Sequence, residues 1–356
     1  MQRISLALVW LTATLVLLTM TAAAQAAPND PLYGPHQWGP KQIKVEQAWT
    51  TSTGAGQIIA IVDSGIDLAH PDLAGKIAGG ATFTGCANNG PCGNGDWQSG
   101  GQGGQPPSPH GTHVAGIAAA TTGNGVGIAG VAPDARLLAV KALTDEGGTF
   151  EEIAAGIRWS VDNGADVINM SLGAIPGAQA LPITGLETSV RDAVDYAQSL
   201  GVVVVAAAGN DSASVCGEPS FDPDVLCVVS SDRNEARAWY SNFGVSEAPL
   251  NAVAAPGGQG LVSCGEDVVS TVPSSAGGTC TGIMGTPGYD FYAGTSMATP
   301  HVAGVAALLK AQGRSAAQVV SVLKSTARKP GTTTRGVYDP VYGYGIVDAA
   351  AAVAAP

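Results

Sequence analysis

"QIIAIVDSG", residues 57–65, sets five apolar side chains in an unbroken row, Ile58 to Val62, and then turns polar at Asp63-Ser64-Gly65. A strand with one wet face alternates apolar and polar residues. An unbroken row instead marks a strand covered on both faces, as in parallel sheets packed between helices. The same pattern recurs in "RLLAVKAL" (136–143), "ADVINMSL" (165–172), "VVVVAAAG" (202–209) and "VLCVVS" (225–230). Helical spacing fills the intervals at 110–121, 150–163 and 187–200, and continues at 295–311 and 315–327. Phe150, Ile153, Ile157 and Val161 form one stripe, with Glu151 and Glu152 in the first turn, where a helix favours negative charge. This alternation predicts an α/β fold: a doubly wound, mostly parallel sheet with helices on both faces. No repeat or composition break divides 40–350, so a single domain is expected. Segments 84–109 and 257–289 lack periodicity and read as long loops.

The chain has 356 residues, of which 45% are hydrophobic and 12% charged, against about 25% charged in an average domain. Its net charge of -12 argues against nucleic acid or an anionic membrane as partner and leaves carboxylates available for a cation. Arg3 precedes an apolar run from Ile4 to Met20, and Ala24-Gln25-Ala26 then fits the small-residue cleavage pattern. Residues 1–26 are therefore expected to be a cleaved signal peptide and the protein to be secreted, with no stable membrane association afterwards. An oxidising compartment makes the 6 cysteines readable as disulfides. Six cysteines allow about 15 pairings. Short loops close with the least entropy loss, which favours Cys86–Cys92, Cys216–Cys227 and Cys264–Cys280.

In open α/β sheets, ligands bind beyond the carboxyl ends of the strands. Three polar residues stand at or near such ends. Asp63 closes the first run, His110 opens the Gly/Ala-rich "HGTHVAGIAAA" (110–120), and Asn210 follows "VVVVAAAG". Taken singly, each reads as a turn, cap or core residue. The fourth, Ser296, enters the apolar helix of "YAGTSMATPHVAG" (292–304), at the end where the helix dipole stabilises a developing oxyanion. Together the four supply a complete acyl-transfer site. Ser296 would be the nucleophile and His110 the base. Asp63 would hold the imidazole, and Asn210 with the Ser296 amide would bind the oxyanion.

In order and spacing, "IAIVDSGIDLAHPDL", "HGTHVAGIAAA", "VVVVAAAGN" and "YAGTSMATPHVAG" resemble the subtilisin-like serine proteases over residues 40–350. The resemblance implies a serine endopeptidase acting on polypeptides. It assigns Asp63, His110 and Ser296 as the triad with Asn210 in the oxyanion hole, and it selects His110 over His113. It also implies an extended substrate held between "DEGGTF" (145–150) and "SLG" (171–173). Gly147 and Gly148 would admit the substrate backbone, Ser171, Leu172 and Gly173 would face it, and Phe150 and Leu172 would wall apolar subsites. Asp145, Glu146 and Asp211 add exposed negative charge nearby, a weak pull on basic substrates because solvent screens it.

The stretch 27–49 is similar to the N-terminal arm of the thermitase-like sub-group, which is tied down by calcium. The matching ligands are the side chains of Asp30, Asp72 and Asn124 and the carbonyls of Thr121, Val126 and Ile128, hard oxygens suited to Ca²⁺. The loop "TTGNGVGI" (121–128) has the glycines to turn several carbonyls inward. Arm and first strand fill the space from Ala27 to Asp63, so no propeptide is expected inside the chain; either the enzyme folds without one, or a helper or inhibitor is encoded separately. A monomer without organic cofactor is expected. Two other readings compete. Asp63, Asp67, His70, Asp72, His110 and His113 could ligate a hydrolytic metal, which leaves Ser296 and Asn210 without roles. A non-catalytic binding protein on the same scaffold would have no use for the full quartet.

Overall fold

The computed structural model describes residues 27–86, 90–91, 108–144, 146–173, 188–244, 251–260, 263–276, 278 and 280–356. Residues 1–26 (expected to be the leader), Cys92 and Asp145 lie outside the described residues, as does most of segment 84–109. Seven strands form one parallel sheet: β1 (Ile58–Asp63), β2 (Ile77–Thr82), β3 (Arg136–Lys141), β4 (Val167–Met170), β5 (Val203–Ala207), β6 (Leu226–Ser231) and β7 (Ala252–Pro256). Their order is β2-β3-β1-β4-β5-β6-β7, and β1 pairs in parallel with both β3 and β4. The five apolar runs are all strands of this sheet. β2, "IAGGAT", and β7, "AVAAP", escape an apolar-run search because glycine and alanine dominate them.

Side-chain alternation along each strand feeds two cores. Ile59, Ile61, Leu137, Val167, Val203 and Val205 pack on one face, with Val114 and Ile117 of α1 (Pro109–Ala119) and Val302 and Val305 of the later helix Thr295–Lys310. Ala60, Val62, Leu138, Ile168 and Val204 pack on the other, against Ile153 and Ile157 of α2 (Phe150–Asp162) and Val190 and Val194 of α3 (Ser189–Ser199). α2 starts at a capping box. The Glu152 N–H donates to Thr149 Oγ1 at 3.1 Å, and the Thr149 N–H donates to Glu152 Oε2 at 2.9 Å. The helix Thr295–Lys310, here α4, is apolar all round because it is wrapped all round: only Ser296 and Lys310 escape burial. α5 (Ala316–Thr326) packs outside it.

Segment 257–289 is more structured than its lack of periodicity predicts. β8 (Val268–Thr271) pairs antiparallel with β9 (Tyr289–Tyr292) and covers α1. Each strand is four residues long and the two are far apart in sequence, too little for a period-2 signal. The arm is not featureless either: Tyr33–His36, Trp38–Gln42 and Val45–Trp49 are short helical turns. Cys216 bonds Cys227 and Cys264 bonds Cys280, as local pairing predicts. Cys227 sits within β6, so that bridge staples a loop to the sheet rather than closing a loop alone. The Cys86–Cys92 expectation falls on a residue outside those described. Among the described residues no helix is long and apolar enough to cross a membrane.

Candidate active site

The sheet order reverses direction around β1: β2 and β3 lie on one side of it, and the chain then crosses over from β3 to β4 on the other. This is the crevice where α/β sheets place ligands. Asp63 is the last residue of β1 and is fully buried. Its Oδ1 accepts from the Ser64 N–H at 2.7 Å and from the Ser64 hydroxyl at 3.0 Å. His110 Nδ1 lies 2.8 Å from the same oxygen. His110 is the second residue of α1. That helix starts close enough to β1 because position 111 has no side chain: a Cβ on Gly111 would lie 2.3 Å from the Gly65 carbonyl oxygen.

Ser296 is the second residue of α4, in the turn whose amides have no intrahelical acceptor. Its hydroxyl donates to the Ser171 carbonyl at 3.2 Å. Pro300 lies four residues on, where an ordinary residue would donate to the Ser296 carbonyl. The Ser171 hydroxyl takes that place and donates to the Ser296 carbonyl at 2.8 Å. The proline therefore frees one helix carbonyl, and the segment after β4 is tied to the serine turn through it. Asn210 is oriented from the same turn. Its Oδ1 accepts from the Thr295 N–H at 2.9 Å and from the Thr295 hydroxyl at 3.0 Å. With the oxygen committed, the NH₂ faces the other way, near Gly294, and Asn210, Ser296 and His110 line one cavity of about 570 Å³.

The remaining histidines are packing residues. His113 is fully buried, its Nε2 3.0 Å from the Val268 carbonyl and its ring stacked on Tyr292. Burial above all holds it down at about 3, so it stays neutral. Burial likewise holds His301 down at about 4, with its Nδ1 2.9 Å from the Met297 carbonyl. His70 meets the Gly288 carbonyl at 2.9 Å. Among the described residues no three His, Cys, Asp or Glu side chains gather to hold a metal, so the hydrolytic-metal set does not assemble.

Gly147, Gly148, Phe150, Leu172 and Gly173 line a second cavity, about 590 Å³, together with Asp63 and His110. Ser171 is buried beside it, its hydroxyl engaged with α4. Gly148 is also required by the chain's own packing, since a Cβ there would lie 2.3 Å from the Ala142 carbonyl oxygen. Gly147, at φ +112, has open space instead.

Of the expected cation ligands, Asp30, Asp72 and Asn124 meet beneath the arm. Asp30 and Asp72 are both buried. Asp30 accepts from the Gly123 and Asn124 amides, at 2.8 and 3.2 Å. Asp72 accepts from Asn124 Nδ2 at 2.8 Å, from the Ile128 N–H at 3.1 Å and from the Tyr289 hydroxyl at 2.8 Å. Burial pushes the Asp72 carboxyl up, against the pull of these donors. Among the described residues no donor reaches the carbonyls of Thr121, Val126 or Ile128. Two carboxylates, one amide and three spare carbonyls are a donor set that fits a hard divalent cation, with the Asn124 amide turned to present its oxygen.

Thr295, Ser64 and Ser171 do positioning work that the sequence reading did not assign. A signal existed for Ser171: a proline four residues after Ser296 announces an unclaimed carbonyl that something must satisfy.

Residues 54–345 match the model of the subtilase family. Thermitase from Thermoactinomyces vulgaris is 41% identical over 303 residues, 85% of this chain and 92% of its own length. A thermophilic serine proteinase from Bacillus sp. (strain AK1) is 38% identical over 323 residues, 90% of this chain and 69% of its own. Among solved structures, a protease from Pseudoalteromonas arctica PAMC 21717 superposes with a TM-score of 0.73 at 35% identity, covering 92% of this chain and 99% of that one. A buried aspartate on a histidine, with a serine at a helix entrance across the same cleft, accords with these matches, and the chain belongs to the subtilase family of serine endopeptidases.

Proposed function

We propose that this protein is a secreted endopeptidase that cleaves polypeptides through Asp63, His110 and Ser296, with Asn210 in the oxyanion hole. The observation that carries this reading is the 2.8 Å contact between buried Asp63 and His110 beside the Ser296 helix entrance. Ser296 turns from its weak bond to Ser171 toward His110 Nε2 and attacks the scissile carbonyl. His110 takes the hydroxyl proton, and Asp63 stabilises the imidazolium. The carbonyl oxygen, now negative, is met by the Asn210 NH₂ and the Ser296 N–H. His110 returns the proton to the leaving amine, and a water repeats the sequence on the acyl-enzyme. The substrate backbone lies extended between Gly147–Gly148 and Leu172–Gly173. Serine-directed phosphonylation tests this: one equivalent should attach at Ser296 and end activity. Labelling elsewhere, with activity intact, defeats it.

Asn210→Ala should lower kcat by about 10²–10³, the cost of one oxyanion-hole donor. Thr295→Val keeps the Thr295 amide but removes the hydroxyl bond to Asn210, and a smaller loss, about tenfold in kcat with KM nearly unchanged, is expected. Steady-state kinetics on a peptide anilide would separate the two.

The same proposal places Ca²⁺ on Asp30, Asp72, Asn124 and the carbonyls of Thr121, Val126 and Ile128. Asp30, from the arm, and Asp72, from the domain, would hold the ion between them, which would offset their two buried charges and tie the arm down. Excess chelator should lower Tm by several degrees and expose the arm to cleavage, since an ion held at about 100-fold over its Kd contributes about 2.7 kcal/mol. Asp72→Asn should lose the calcium dependence of Tm; an unchanged dependence refutes the site. Residues 1–26 act as the secretion leader, 27–356 form one catalytic domain acting as a monomer, and the enzyme either folds without a propeptide or uses a helper encoded elsewhere.

A further inference from the structure

The cavity of about 590 Å³ beside His110 has apolar walls from Leu143, Phe150, Ile153, Leu172 and Val190. Its polar lining includes Asp63, His110, Glu146 and Arg191 as well as Glu218, and of its carboxylates Asp63 is bonded within the site and Glu146 is exposed. Glu218 lines this cavity, is only 8% exposed, and receives no hydrogen bond from any described donor. Its backbone lies against the substrate segment: a Cβ on Gly173 would be 3.9 Å from the Glu218 carbonyl oxygen. Arg191 also lines the cavity and draws on Glu218 only through space; its Nε leans toward Asp222, 3.8 Å from Oδ2. A buried acid with no hydrogen-bond partner among the described residues is costly unless something brings one.

We propose that Glu218 makes this cavity a subsite for a basic substrate side chain, its methylenes against Leu143, Phe150, Ile153, Leu172 and Val190 and its cationic head on the Glu218 carboxylate. Lysine and arginine have this build, an apolar stem that can be buried and a charged tip that must be paired. The inference rests on the endopeptidase reading and adds to it one specificity residue that the exposed Glu146 does not supply, since Glu146 is screened by water.

The groups facing Glu218 set its pH behaviour. Burial pushes it up to about 7, Asp222 adds to that, and Arg191 opposes it. Glu146, Asp63 and His110 also line the cavity. Below neutrality Glu218 is protonated and the subsite is an apolar pocket. Above it the carboxylate is charged, so preference for a basic side chain rises with pH.

The test uses matched peptide pairs with lysine or norleucine at each position on the amino side of the scissile bond. The readout is the ratio of kcat/KM for lysine over norleucine, at pH 6 and pH 9. His110 ionisation enters both members of a pair and cancels in the ratio. At one position the wild-type ratio should reach about tenfold or more at pH 9, the scale of one charge-assisted hydrogen bond, and approach unity at pH 6. Glu218→Gln should hold the ratio near unity at both pH values. Norleucine cleavage by that variant reports that it folds; if it does not fold, the wild-type pH dependence decides alone. A lysine preference that survives Glu218→Gln, or the lack of any position with such a preference at pH 9, overturns the proposal. If wild type cleaves neither peptide of any pair, the endopeptidase reading fails and this inference falls with it.

Discussion

Ser296→Ala is expected to cut kcat by about 10⁶, the order seen when the nucleophile of a serine–histidine pair is removed. The substituted side chain loses only a 3.2 Å bond to the Ser171 carbonyl, so the fold should be nearly unaffected. The Ser171 hydroxyl still satisfies the Ser296 carbonyl that Pro300 leaves open. Tm should therefore stay within a few degrees while hydrolysis of casein or a peptide anilide disappears. Substrate affinity should persist, because the Gly147–Gly148 and Leu172–Gly173 walls are untouched. His110→Ala should cost about as much, and the double variant little more, since a nucleophile without its base and a base without its nucleophile are equally idle. Full additivity of the two losses, or equal casein cleavage by Ser296→Ala and wild type, would sink the mechanism.

The second large effect is expected at Asp63. Asp63→Asn is nearly isosteric, and Oδ1 is where the change bites, since it faces His110 Nδ1 and both Ser64 donors. If the amide keeps its oxygen there, it is neutral and no longer stabilises the imidazolium. If it turns its NH₂ toward His110, it fixes the tautomer with a proton already on Nε2, and the base cannot accept the serine proton. That orientation also sets an NH₂ against the Ser64 N–H. Either way kcat should fall by about 10⁴ with KM nearly unchanged. A loss below tenfold, in a variant whose Tm shows it folded, would remove Asp63 from the mechanism.

Much of the architecture was legible because burial on both sides of a parallel strand leaves a local trace. Ile58–Val62 and the four similar runs carry it, and all became strands of one sheet. β2 did not, because Gly79 and Gly80 sit where β3 comes close; a Cβ on Gly80 would lie 2.6 Å from the Ala139 carbonyl oxygen. The β8–β9 hairpin left no trace because its strands meet only through tertiary contact.

At the site, residue types at the punctuated ends of strands and helices put forward Asp63, Asn210 and Ser296, and it took the family resemblance to choose His110 over His113 for the proposed set. What they touch was settled only in three dimensions. Gly111 admits the Gly65 carbonyl, Thr295 aims the Asn210 amide, Ser171 claims the carbonyl that Pro300 frees, and Glu218 faces an apolar cavity. Local chain chemistry writes periodicity and punctuation into the residues themselves. A hydrogen bond across 125 residues of chain, such as Ser171 to Ser296, depends on how the sheet and α4 pack, and no single segment records it.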